Sequence, residues 1–237
     1  MGVKEMKFLI IKMAQVITSA GSVLALAYKN GVVIAADTQI NYGKTARYFH
    51  CPRTHQISDS CIISASGEYA DFQEITSILD DIEEEEFCGG DGHKFSPKAY
   101  FSQCTRLLYQ RRSKLKPFTV RLVIGGIDEG KPFLGSVDLF GTPIISPYIA
   151  TGIGEHIAKP QLAIASDRHA VMTYEEARQV LINNMKTLLV RDSRAGSEVE
   201  IRNISYGDGI LKVDEPEVFV LDTHGKWEST LTVFNPM

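Results

Sequence analysis

The sequence predicts a single α+β domain, a four-layer α-β-β-α sandwich of two mostly antiparallel sheets. Three observations predict it. Tight-turn signals separate the apolar runs, so neighbouring strands are joined as hairpins. Helical periodicity appears only in blocks, giving the order strands, two helices, strands, helices, strands. The first strands are apolar on both faces, as in a sheet covered on both sides.

The elements follow in order. Residues 22–37 hold two apolar runs around Asn30-Gly31, a pair that suits the positive φ of a type I′ turn. Gln56–Ser58 and Cys61–Ala65 form a second hairpin across Asp59-Ser60. The period then changes: Tyr69, Phe72, Ile75, Leu79 and Ile82 recur at three and four, the mark of an amphipathic helix. Glu83–Glu86 close it with acids that oppose the helix dipole, so fraying on a solvated surface is expected there. After a loop at Gly89–Gly92, Ser96-Pro97 opens a second helix with an N-cap and an N1 proline. Arg111 and Arg112 sit near its favourable C-terminal end. They could also read as an RNA-binding stripe, but no aromatic residue interleaves them.

Phe118–Ile127 and Phe133–Leu139 make the next hairpin, and Ile144-Ile145 a short strand. Thr173 with Glu176 three residues on is a capping box for a helix ending near Val190. Val199–Ser205 and Ile210–Val213 are the last strands, turning at Gly207–Gly209. Three regions result: an N-terminal leader or extension at 1–20, the domain at 21–213, and a tail at 214–237. The tail carries Val218–Leu221, Trp227, Leu231, Val233 and Phe234, which calls for burial against partners.

Composition narrows the function. The chain has 237 residues, 44% of them hydrophobic and 23% charged, as in globular domains. Its net charge of −4 gives no electrostatic case for nucleic acid or an anionic membrane. The apolar stretch near Phe8–Ile11 is far shorter than the ~20 residues of a membrane helix. Cys51, Cys61, Cys88 and Cys104 form no CxxC pair and have no histidine at ligand spacing, so neither a metal nor a cofactor is expected. Reduced thiols fit a protein of the cytoplasm and nucleus. Gly152-Ile153-Gly154 lacks the Gly-Lys-Ser/Thr of a phosphate loop, which counts against a nucleotide-binding module. Asp80 and Asp81 diverge on their helix, and His50 and His55 suit a surface or interface.

Gly31-Val-Val-Ile-Ala-Ala-Asp37 resembles the GVVIAAD signature of the proteasome subunit family. Ser66–Asp71 is similar to its small-residue turn into the first helix, and Arg191–Gly196 falls where the family has its RDA-type loop. Residues 90–93 and 109–114 resemble the seventh-position, non-catalytic branch of the beta subunits. The resemblance spans about residues 21–213. It implies the fold of the N-terminal-nucleophile hydrolases and a place in a barrel of stacked rings. Partners would be beta subunits of the same and the opposite ring and alpha-ring subunits, with the tail clasping the opposite ring.

The resemblance also implies a chemistry to look for. Active members attack with the hydroxyl of an N-terminal threonine, whose α-amine, with a pKa near ~8, takes the proton. A lysine supplies positive charge, an aspartate orients it, and a glycine N–H receives the oxyanion. Counting back from Asp37, the nucleophile position falls on Gly21, which has no side chain. Asp37 keeps the orienting aspartate. The lysine position is Arg53, whose planar fork stays charged. Gly67 keeps the oxyanion glycine and Asp192 the supporting acid. Ala195 and Thr151 replace supporting serines. A degenerate site is the expectation, with no catalytic residue. Two other hydroxyls lie nearby. Ser22 would become N-terminal if the chain were cut after Gly21, but a one-residue shift turns a strand side chain to the other face. Thr18 lies three residues upstream, roughly 10 Å when extended.

Overall fold

The computed structural model describes residues 18–89, 94–207 and 209–222. The Gly90–His93 motif, residues 1–17 of the extension and residues 223–237 of the tail fall outside them.

The first hairpin is β2 (Val23–Tyr28) and β3 (Gly31–Asp37), paired from Tyr28↔Gly31 to Val23↔Ala36. Every residue of both strands is buried, as the two-sided apolar pattern predicts. Alternation splits them between two cores. Leu24, Leu26, Val33 and Ala35 face one cluster, and Val23, Ala25, Val32, Ile34 and Ala36 face the other. The turn differs from expectation. Its two residues are Lys29-Asn30, neither with positive φ, so it is not type I′. Gly31 lies in the strand, where a Cβ would meet the Ile204 carbonyl oxygen at 2.1 Å. The glycine is needed for close approach of strands, not for turn conformation.

One sheet runs β10-β9-β8-β7-β1-β4-β5, with β6 also on β7. Its strands are β1 (Thr18–Ala20), β4 (Ile40–Tyr42), β5 (Thr45–Tyr48), β6 (Thr54–Ser58), β7 (Cys61–Glu68), β8 (Val120–Asp128), β9 (Lys131–Val137) and β10 (Pro143–Ile145). The other runs β11-β2-β3-β12-β13, from β11 (Tyr148–Ala150) through β12 (Glu198–Gly207) to β13 (Ile210–Val213), with β14 (Glu217–Val220) also on β12. All their pairings are antiparallel. Helices α1 (Tyr69–Gly89) and α2 (Pro97–Ser113) cover the first sheet. Helices α3 (Gly154–Ile157), α4 (Lys159–Ser166) and α5 (Tyr174–Arg191) cover the second. A third cluster of Val23, Ile34, Ile62, Val123 and Ile204 fills the space between the sheets. This is the four-layer α-β-β-α sandwich.

Caps sit where the sequence places them. The Ser96 hydroxyl accepts from the Ala99 N–H at 3.3 Å. Thr173 and Glu176 exchange both bonds of the capping box. The acids at 83–86 do not end α1, which runs on to Gly89. Glu83 accepts from the Tyr100 hydroxyl, so it ties α1 to α2 instead of only meeting solvent.

Two ends of the domain differ from the expected boundaries. Thr18–Ala20, read as extension, is a strand between β7 and β4, and the β4–β5 hairpin joins the sheet through it. At the other end, Leu221 is buried and Phe219 packs in the cluster under α5, while Val218 and Val220 are exposed. That part of the tail's apolar content is therefore used within the chain.

Candidate functional site

The end of β3, the entry to β6 and the start of β12 meet between the sheets. Asp37, Arg53 and Glu200 come from these three segments, and all are buried. Arg53 is fully inaccessible. Its Nη1 donates to the Asp37 carbonyl at 3.0 Å and to Asp37 Oδ1 at 3.2 Å. Its Nη2 donates to the Gly21 carbonyl at 3.0 Å and to the Ala65 carbonyl at 2.6 Å. Nε has no partner among the described residues. The fork geometry of arginine is what lets one side chain hold four acceptors.

Asp37 has a second donor, the Gly196 N–H, at 3.0 Å from Oδ2. Burial pushes the Asp37 carboxyl above the usual aspartate range, against the opposing pull of Arg53. Burial likewise lowers the Arg53 pKa, opposed by Asp37 and then Glu200. The pair is held by geometry in a place that favours neither charge. Glu200 accepts from the Arg53 N–H at 2.6 Å, the Thr54 N–H at 3.2 Å and the Thr54 hydroxyl.

The sequence-derived positions separate into two groups. Gly21, Asp37, Arg53 and Gly67 come together: Gly67 pairs with Ala20, the residue before Gly21. Asp192, Ala195 and Thr151 do not join the ion pair. The Asp192 carboxylate is buried and takes the Arg194 N–H at 3.0 Å. Ala195 donates its N–H to the Asp192 carbonyl at 3.1 Å. Their loop reaches Asp37 through Gly196. The Thr151 hydroxyl accepts from the Val23 N–H at 3.0 Å, a strand-end role.

A side chain at 21 requires the Asp37 carboxylate to move from its place. A Cβ there would lie 2.5 Å from Asp37 Oδ1. Ser22 faces elsewhere: its hydroxyl accepts from the Gly154 N–H at 2.9 Å, beside Gly152. Residues 21 and 22 lie between β1 and β2. Thr18 is further off, with its N–H and hydroxyl both donated to the Glu68 carboxylate. The cavity beside Gly21 and Ser22 measures about 40 Å³, lined also by Asn41, Gly152, Asp192 and Arg194. Ligand pockets are ~300 Å³ or more, so this one takes a water-sized guest. A cleft of about 770 Å³ near Ser58, Lys94 and Lys212 contains none of these positions.

Sequence reasoning missed Glu200 and Gly196. One signal was present for Glu200: an acid in the interior of a strand whose pairing partner is apolar on both faces must find buried donors.

A model of the proteasome subunit family matches residues 17–204. The chain belongs to the proteasome subunit family. Several of its relatives within the family are beta-type subunits. It is 39% identical over 207 residues to "Proteasome subunit beta type-4" of Xenopus laevis, covering 87% of this chain and 83% of that one. It is 36% identical over 208 residues to the beta type-4 subunit of Arabidopsis thaliana, covering 88% and 82%. It is 31% identical over 204 residues to "Proteasome subunit beta type-7" of Saccharomyces cerevisiae, covering 83% and 77%. The signature run Gly31–Asp37 is strand β3.

Proposed function

We propose that this chain is a non-catalytic, structural beta subunit of the 20S proteasome core, in ubiquitin-proteasome-dependent protein degradation. The observation that carries the reading is the occupancy of the site. Gly21 brings no nucleophile, Asp37 fills the space its side chain would need, and the Arg53 guanidinium binds the Gly21 carbonyl. Activating a nucleophile at this position needs a hydroxyl beside a free base, but Gly21 carries no hydroxyl and the Asp37 carboxylate is bound by Arg53 and Gly196. What remains is a clamp: one cation holding the Asp37 carboxylate and backbone carbonyls that include Ala65 of the other sheet. The Ser22 alternative is disfavoured because its hydroxyl already accepts from the Gly154 N–H, away from Asp37 and Arg53.

The work of such a subunit is to complete the rings and wall the proteolytic chamber. Its partners would be beta subunits of its own and the opposite ring and subunits of the alpha ring, in the cytoplasm and nucleus, without a cofactor. Both edges of the first sheet support this. Tyr42, Tyr48 and Phe49 are exposed on or beside the β4–β5 hairpin, and Ile144 and Ile145 on β10. The tail beyond Asp222 would provide the clasp to the opposite ring. Affinity-tagged in a eukaryotic cell, the chain is expected to elute in a heteromeric particle of proteasome size. Elution only as a free monomer would contradict the reading.

A further inference from the structure

We propose that the C-terminal end of α2, with the turn at residues 138–142, docks an acidic segment of another polypeptide through Arg112 and the apolar groups around it. This goes beyond the assembly role and stands without it.

The charge distribution is the first support. Residues 94–127 contain eight Lys and Arg and no Asp or Glu, in a chain of net charge −4. Several of these cations are paired, Arg111 with Glu74 among them. Arg112, Lys114 and Lys116 have no ion pair among the described residues. The Arg112 guanidinium lies 5.7 Å from the ring centres of both Tyr109 and Phe140. The two rings hold it in place without neutralising it, which leaves its N–H fork for a carboxylate. The sequence shows no aromatic between the arginines; the fold brings one from the 138–142 turn.

The apolar groups are fixed, not loose. Phe140 is 48% exposed, yet its turn is locked. The Asp138 carboxylate accepts from the Phe140 and Thr142 N–H groups at 2.9 and 2.8 Å, and Gly141 packs against the Tyr109 backbone. Leu115 follows the α2 C-cap with φ +56° and is 61% exposed. That is the position where helices normally place glycine. A leucine held in the left-handed region with its side chain in water is unfavourable twice over for the free chain. Rigid, exposed Tyr, Arg and Phe side chains of this kind form the energetic centres of protein interfaces. RNA fits less well, because a guanidinium already lies over Tyr109, Phe140 and Phe118.

The test is fluorescence anisotropy on the full-length chain with three probes: a short labelled peptide alternating glutamate and leucine, its glutamine counterpart, and an oligouridylate. The glutamate peptide is expected to bind. Arg112→Gln should weaken it roughly tenfold, the size of a hot-spot loss. Leu115→Gly should weaken it too while leaving the urea midpoint unchanged or higher, since it relieves backbone strain. Lys94→Gln, at the far end of α2, should bind like the wild type. Absent binding, equal binding of the glutamine peptide, tighter binding of oligouridylate, an undiminished Leu115→Gly, or an equal loss with Lys94→Gln would each overturn the proposal.

Discussion

Replacing Arg53 by alanine is expected to destabilise the chain by about 3–5 kcal/mol, the usual result of removing one partner from a buried ion pair. The reason is what stays behind. Asp37 would keep a buried carboxylate without its cation, served by backbone N–H groups such as that of Gly196. The carbonyls of Gly21 and Ala65 would lose their donor. The chain strands carrying these groups belong to both sheets, so the loss falls on the sheet-to-sheet contact. The sign of the pH dependence follows from Asp37, whose pKa burial raises in the folded chain. Stability from its protonated form is complete below the ordinary aspartate value of about 3.9 and is lost as pH rises through the raised folded value. The deficit of the alanine variant should therefore shrink as the solution is acidified. Urea unfolding of both proteins across pH checks this. A loss under about 1 kcal/mol at neutral pH would show that Arg53 is not the clamp described.

Gly67→Ala is expected to cost about 3 kcal/mol, with no change in any activity. Gly67 has φ +105°, a region L-residues rarely adopt. A Cβ there would meet the Thr119 carbonyl oxygen at 2.3 Å, and backbone cannot move aside as a flexible side chain would. Strain and overpacking each contribute about 1–3 kcal/mol. The glycine is required by the crossing of β7 with the backbone beside β8. Thermal unfolding of the variant measures the effect, and a melting temperature equal to wild type would refute this account of the glycine.

The strands and helices were legible in sequence wherever a period or a cap was strong. Thr173-x-x-Glu176 and Ser96-Pro97 are local chemistry, and both act as local chemistry. The alternation in 23–36 fixed which side chains face which core. The failures are non-local. Nothing near Asn30 says that Gly31 must pass close to Ile204. Nothing in Thr18–Ala20 says that it pairs with β7 and β4, because three residues carry too little pattern. The tail looked apolar in one piece, but pairing with β12 separates Phe219 and Leu221 from Val218 and Val220. At the site, the family resemblance singled out Gly21, Asp37, Arg53 and Gly67, which the fold brings together. It could not show that Arg53 reaches the Gly21 carbonyl, that Gly196 serves Asp37, or that Glu200 closes the cluster from β12. Those depend on distances across the sandwich.

The central claim is that this subunit carries the scaffold of the hydrolase without its reaction. The most direct measurement is intact-mass spectrometry of the assembled particle after treatment with a covalent inhibitor directed at N-terminal threonines. The account predicts that other beta subunits gain the inhibitor's mass and this chain gains none. Modification of this chain at Ser22 or Thr18 would contradict it.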